Sequence, residues 1–166
     1  TTETANLLRT LKAGGATVKF FYDDATHWVT DNQTSVIATA PGSFQSALGC
    51  AGDWDPGCLR SWLQDPDGDG VARFTTSALP PGSYEFKVAI NDSWDENYGA
   101  GGVKGGDNIP LVLGGSAALR FSYDDETHRI GVAPVTLSGP ANAADRALAG
   151  DSLRTGLTRE RFYFVM

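Results

Sequence analysis

The sequence predicts an all-β fold: an immunoglobulin-like antiparallel β-sandwich with N- and C-terminal extensions. Three observations carry the prediction. Apolar and polar residues alternate along residues 83–90 and 118–123, the period of two that sends successive side chains to opposite faces of a strand. Turn-forming residues separate these runs, at Pro41-Gly42-Ser43, at Asp65-Pro66-Asp67-Gly68-Asp69-Gly70 and at Leu79-Pro80-Pro81-Gly82. No stretch between them offers a convincing helix.

Taken in order, residues 1–33 read as the closing strands of a preceding, similar module. Thr17-Val18-Lys19-Phe20-Phe21-Tyr22-Asp23-Asp24-Ala25-Thr26-His27-Trp28 returns as Ala118-Leu119-Arg120-Phe121-Ser122-Tyr123-Asp124-Asp125-Glu126-Thr127-His128-Arg129, 101 positions later. An earlier echo, Asn6-Leu7-Leu8 against Asn108-Ile109-Pro110, extends the match with one residue of slippage. So long a period points to tandem copies of a whole small domain rather than to a solenoid. Val18, Phe20 and Tyr22, like Leu119, Phe121 and Tyr123, alternate as one strand face. Asp-Asp then turns the chain, and Trp28-Val29 or Arg129-Ile130 begins the return strand. His27 and His128 follow the turns. Nothing nucleophilic is spaced to use them, so hydrogen bonding at the turn is their expected role.

Residues 34–135 form the complete module, the size of an immunoglobulin-like sandwich of about 100 residues. Strands are expected at 36–40, 71–76, 83–90, 109–113 and 118–123. The stretch Asn91-Asp92-Ser93-Trp94-Asp95-Glu96-Asn97-Tyr98-Gly99 reads as a loop fed by the third of them. Residues 136–156, rich in Ala, Gly and Asp, read as a linker. Residues 157–166 end on an apolar run that reads as the truncated first strand of a following catalytic domain.

The formal net charge of −7 argues against nucleic acid and anionic membrane as partners. No apolar run reaches the ~18 residues of a membrane-spanning helix. Cys50 and Cys58, the two cysteines of the chain, flank a Gly/Pro turn. They read better as a small disulfide loop than as a metal site, with two free thiols as the alternative. A disulfide places the chain in an oxidising compartment, outside the cell or in a periplasm.

The chemistry on offer is aromatic and polar. The Asp65, Asp67, Asp69 spacing with Gly70 resembles the start of a calcium loop. The twelfth position, however, is Thr76 rather than an acidic residue, so calcium is a weak candidate and a hairpin turn the expected reading. No nucleophile elbow, phosphate loop or zinc spacing is present, and no cofactor is implied. Adjacent Asp95 and Glu96 would face opposite ways on a strand, unlike the converging carboxylates of a glycosidase. Sugar rings offer apolar faces to aromatics and hydroxyls to polar groups. Trp54, Trp94, Asp95, Glu96, Asn97, Tyr98 and Lys104 are therefore the candidate carbohydrate-binding residues, and Trp62 is expected in the core.

Four stretches together carry a family resemblance. They are Pro41-Gly42-Ser43-Phe44-Gln45-Ser46-Ala47-Leu48-Gly49-Cys50, Gly52-Asp53-Trp54-Asp55-Pro56, Tyr84-Glu85-Phe86-Lys87-Val88-Ala89-Ile90-Asn91 and Ser93-Trp94-Asp95-Glu96-Asn97-Tyr98-Gly99. Over about residues 36 to 133 the chain resembles the accessory β-sandwich module found, often in tandem, upstream of the catalytic barrel in bacterial pullulanases and related α-amylase-family enzymes. The resemblance implies a secreted multidomain enzyme acting on α-1,6 branches of α-glucans such as pullulan and starch. Its catalytic residues would lie beyond Met166, so this chain is expected to be non-catalytic. The expected partners are α-glucan, neighbouring modules and the catalytic domain. The alternative is a structural spacer without carbohydrate affinity.

Overall fold

The computed structural model describes residues 17–24 and 26–135. The expected linker, the expected barrel strand and the Asn6-Leu7-Leu8 echo lie outside them. Among the described residues eleven strands occur in the order β1 (Phe20–Tyr22), β2 (Val29–Asp31), β3 (Ala38–Thr39), β4 (Trp62–Leu63), β5 (Val71–Thr76), β6 (Gly82–Phe86), β7 (Val88–Ile90), β8 (Ser93–Tyr98), β9 (Ile109–Leu113), β10 (Ala118–Asp124) and β11 (Ile130–Val135). All pairings between them are antiparallel. Helical structure among the described residues is confined to short 3-10 turns at Gln45–Leu48, Leu59–Ser61 and Ala100–Gly102.

Four hydrogen-bonded sets build the sandwich: β11-β10-β5, β4-β3-β7-β8, β6-β9, and the separate hairpin β1-β2. The first three enclose one core, with Phe121 at its centre. Its ring lies 5.2 Å from Phe86, 5.4 Å from Phe44 and 5.8 Å from Phe74. Alternation along β10 places Leu119, Phe121 and Tyr123 inward while Arg120 stays in water. Gly42 lets the chain pass close over β6. A Cβ there would come within 2.5 Å of the Glu85 carbonyl oxygen, nearer than any side chain can sit.

Two expectations are corrected. The strand expected at 83–90 is two strands, β6 and β7, broken at Lys87, so that one run of sequence serves two sheets. Alternation along the run is continuous across the break, and only the change of partner reveals it. Residues 91–99 are likewise no loop. Asn91 and Asp92 form a tight turn with φ of 56° and 51°, the left-handed pair that closes two-residue hairpins, and β8 follows at once. Strands 71–76 and 109–113 stand as expected, and 118–123 extends one residue to Asp124.

The repeated phrase folds the same way twice. The Asp23 amide donates to the Trp28 carbonyl at 3.0 Å, as Asp124 does to Arg129 at 3.0 Å. Tyr22 Oη lies 2.8 Å from His27 Nδ1, and Tyr123 Oη 2.8 Å from His128 Nδ1. The histidines thus hold the turns. The first hairpin leans on the module through a second, smaller apolar cluster: Phe21, Ile37 and Trp62, with Trp28 stacked on Trp62 at 5.1 Å. Lys19 Nζ reaches Asp92 Oδ2 at 2.8 Å beside it.

The Cys50–Cys58 disulfide is present, its Cα atoms 6.0 Å apart. Reduction is expected to lower stability by about 2–3 kcal/mol through the freed loop entropy of the unfolded chain. Urea titration with and without reductant checks this; coincident midpoints would count against it.

Candidate functional site: a paired-tryptophan face

Two tryptophans forty residues apart in the sequence meet on the surface. Trp54 and Trp94 have ring centroids 6.4 Å apart and planes inclined by 37°. Trp94 is 39% exposed, and Trp54 is half-buried. Each is positioned by a specific local device.

Trp54 sits in the disulfide loop at φ 61°, a left-handed conformation uncommon for so large a residue. Its neighbours are fixed by Gln45, which is fully buried. Gln45 Nε2 donates to the Asp55 carbonyl at 2.8 Å and to Ser61 Oγ at 3.0 Å, while its Oε1 accepts the Asp55 amide at 2.8 Å. Asp53 Oδ1 accepts the Ser46 amide at 2.7 Å, and the Trp54 amide donates to the Gly42 carbonyl at 3.3 Å. The Pro41-Gly42-Ser43-Phe44-Gln45 stretch is therefore a scaffold for the tryptophan loop.

Trp94 is turned out by an irregularity in β8. Ile90 pairs with Ser93 and Ala89 with Asn97, so Trp94, Asp95 and Glu96 have no partners on β7 and bulge from the ladder. The bulge is closed by the Asn97 amide nitrogen on the Trp94 carbonyl at 2.9 Å, and by the Asp95 backbone amide on Ser93 Oγ at 3.1 Å. Asp95 and Lys104 are exposed, and Glu96 and Asn97 half-buried.

Tyr98 is placed differently from the expectation that it faces outward. It is 5% exposed, stacked on the His128 ring at 4.0 Å, with its hydroxyl donating to Glu96 Oε1 at 2.7 Å. Register explains the burial: Tyr98 pairs with Val88, whose side chain belongs to the core. Tyr98 and Glu96 brace the face from beneath. The Glu96 hydrogen bond, and then burial, push the Tyr98 phenol up to about 12. A phenol whose folded pKa lies above its unfolded value contributes stability in full below about pH 10, and loses it as pH rises through about 12. Phenolate absorbance should thus show two tyrosines titrating late, Tyr98 and the more deeply buried Tyr123, and Tyr98→Phe should remove the earlier of the two. An unchanged alkaline titration would contradict the assignment.

Trp62 lies in the core as expected, 3% exposed. The Asp65, Asp67 and Asp69 carboxylates converge to within 4.8 Å of one another. Arg73 supplies positive charge there, 2.7 Å from Asp69 Oδ2 and 4.0 Å from Asp67 Oδ1. Its hydrogen bond holds the Asp69 carboxyl below the usual range. Asp65 meanwhile accepts the Asp69 and Gly70 amides at 3.1 and 3.0 Å, the pattern of a turn. Two features escape a reading of the sequence. Gln45 is one, an ordinary amide in a turn until Asp55 and Ser61 fold onto it. The other is an open groove of about 880 Å³ between β1-β2 and the disulfide loop, walled by Tyr22, Asp24, Arg60, Trp62 and Phe74.

A small antiparallel β-sandwich with a disulfide-braced pair of surface tryptophans is the class of protein these features define. Residues 37–130 match the family model described as the pullulanase X25 domain. The amylopullulanase of Thermoanaerobacterium saccharolyticum is 38% identical over 119 residues, 68% of this chain and 9% of that protein. The amylopullulanase of Thermoanaerobacter thermohydrosulfuricus is 32% identical over 143 residues, 82% of this chain and 9% of that protein. Among solved structures, the pullulanase from Bacillus acidopullulyticus aligns with a TM-score of 0.51 and 25% identity, over 68% of this chain and 14% of that one. The chain belongs to the pullulanase X25 domain family. It spans less than a tenth of the length of the curated relatives it matches. No helix among the described residues is long and apolar enough to cross a membrane.

Proposed function

We propose that this module is a non-catalytic part of an extracellular pullulanase-like enzyme and contacts α-glucan through the Trp54–Trp94 face. One observation carries the reading: two rings remote in sequence meet at 6.4 Å outside both apolar clusters of the module. Exposed aromatic surface of this kind marks a contact site. Asp95, exposed beside Trp94, supplies a polar group for sugar hydroxyls, and exposed Lys104, across from Tyr98, is a further candidate. The names of the relatives, pullulanase and amylopullulanase, support an α-glucan as the ligand. The disulfide supports an oxidising, extracellular setting. In this organisation residues 1–33 close a preceding module, 136–156 link, and 157–166 open a catalytic domain. Tethering the module beside a catalytic domain would raise the local concentration of substrate.

Electrophoresis through pullulan-containing gels, with tryptophan fluorescence quenching by maltoheptaose, tests the reading. The chain is expected to be retarded, and Trp94→Ala to weaken the interaction about tenfold, or ~1.4 kcal/mol. Mobility unaffected by pullulan, with fluorescence unaffected by maltoheptaose, would remove it. The seam of Phe21, Trp28, Ile37 and Trp62 favours a second reading, a spacer whose aromatics dock neighbouring domains. Under it the chain runs free through pullulan, and Trp94→Ala changes nothing but the fluorescence.

A further inference from the structure

The open groove beside the disulfide loop has the make-up of a binding site of its own. One wall is the turn of the first hairpin. Gln64 holds that turn to the module, its Nε2 donating to the Asp23 carboxylate and its Oε1 accepting the Thr26 hydroxyl. The other wall is the Cys50–Cys58 loop and the 3-10 turn after it, Leu59–Ser61. Trp62 and, from β5, Phe74 and Thr75 complete the lining. Arg60 on one wall and Asp24 on the other are exposed, and neither makes an ion pair or a side-chain hydrogen bond among the described residues. Leu59 keeps 42% of its surface in water. The Trp62 indole N–H is buried without an acceptor among the described residues. Such a donor costs free energy, and an oxygen brought by a ligand, directly or through a water held beneath it, offsets the cost.

We infer that this groove is a second saccharide site, which takes a neutral run of glucose units separately from the Trp54–Trp94 face. Its volume of about 880 Å³ falls among those of ligand sites generally. The class of ligand follows from the lining. Leu59 and Phe74 offer apolar surface beside the hydrogen-bonding groups of Arg60 and Asp24. A sugar ring has both characters: C–H faces for the first, and hydroxyls that accept from a guanidinium and donate to a carboxylate. A wholly apolar ligand would desolvate both charged groups without replacing their partners. An ion of either sign meets like charge, an anion at Asp23, Asp24 and Asp55, a cation at Arg60 and Arg73. That the sugar is glucose rests on the glucan reading. The disulfide loop borders both contacts, since Trp54 belongs to the face while Cys50, Ala51 and Asp55 line the groove. A chain long enough to engage both gains affinity through effective concentration. An occupant touching hairpin and loop together also fastens the hairpin to the module.

The test uses the 166-residue chain carrying Trp54→Ala and Trp94→Ala, which leaves Trp28 and Trp62 as its tryptophans, with maltoheptaose as the probe. Trp62 lines the groove and Trp28 stacks on it, so the sugar is expected to change the remaining emission. Arg60→Ala or Asp24→Ala added to that chain should raise Kd about tenfold, the loss of a hydrogen bond to a charged group. Both positions are exposed and without partners, so the melting midpoint should hold. Hydrogen exchange of the unsubstituted chain gives a second readout. Maltoheptaose at about ten times Kd should slow the β1 and β2 amides about tenfold, because undocking the hairpin then expels the ligand. Binding at the tryptophan face alone slows residues 53–55 and 93–97 instead. A flat titration of the doubly substituted chain, where the unsubstituted chain responds through Trp94, overturns the groove and leaves the face standing. A response that Trp94→Ala leaves intact and Arg60→Ala removes supports the groove and sinks the face. A response of the doubly substituted chain that ignores both Arg60 and Asp24 overturns the groove, because the sugar then sits elsewhere.

Discussion

Phe121→Ala is expected to destabilise the module by ~3–5 kcal/mol, while Phe20→Ala shifts stability by no more than about 0.5 kcal/mol. The two residues hold the same place in the repeat, 101 positions apart, and the same distance before the Asp-Asp turn. Phe121 is fully buried and touches the rings of Phe44, Phe74 and Phe86, so truncation opens a cavity that the surrounding rings cannot close. Phe20 meets mostly water, and its loss removes little. Urea denaturation of both variants with unchanged m-values gives the comparison directly. Equal losses would mean that the first hairpin is integral to the core, contrary to its exposure.

Gln45→Ala is expected to cost about 2–4 kcal/mol, because it strands the Asp55 amide, the Asp55 carbonyl and Ser61 in a buried site. Burial there leaves water little room to replace the lost amide. With the Asp55 backbone released, Trp54 is no longer held at its left-handed φ beside Trp94. Under the proposed glucan contact, the variant should therefore lose retardation in pullulan gels at temperatures where it remains folded. Gln45→Glu, similar in shape but without the Nε2 donor, should retain the Asp55 amide bond and lose the other two. A stable Gln45→Ala variant with native near-ultraviolet tryptophan signals would show that the disulfide alone holds the loop.

Much of the fold is legible in the residues. Val71–Thr76 and Ile109–Leu113 announce themselves because each is a short run rich in strand-forming residues between turn residues, and each is one strand. The β6–β7 break is hidden because Lys87 changes the sheet without changing the alternation. β8 is hidden for the opposite reason: its bulge interrupts the period over Trp94, Asp95 and Glu96. Of the candidate site, the meeting of Trp54 and Trp94 could be suspected from their exposed, polar surroundings, but composition carries no distance. Tyr98 was bound to mislead, since a ring flanked by Asn and Gly looks exposed until the register with Val88 turns it inward.

The turn at Asn91-Asp92 has a mechanical consequence. Asp92 is anchored to Lys19 on the first hairpin, and two residues later the chain reaches Trp94. Tension applied through β1 therefore enters the module at three places: the Trp62 seam, Gln64, to which Asp23 and Thr26 are hydrogen-bonded, and the root of β8. None lies among the rings around Phe121. Pulled from that side, the hairpin peels before the sandwich yields, and the strand that carries Trp94 shares the load.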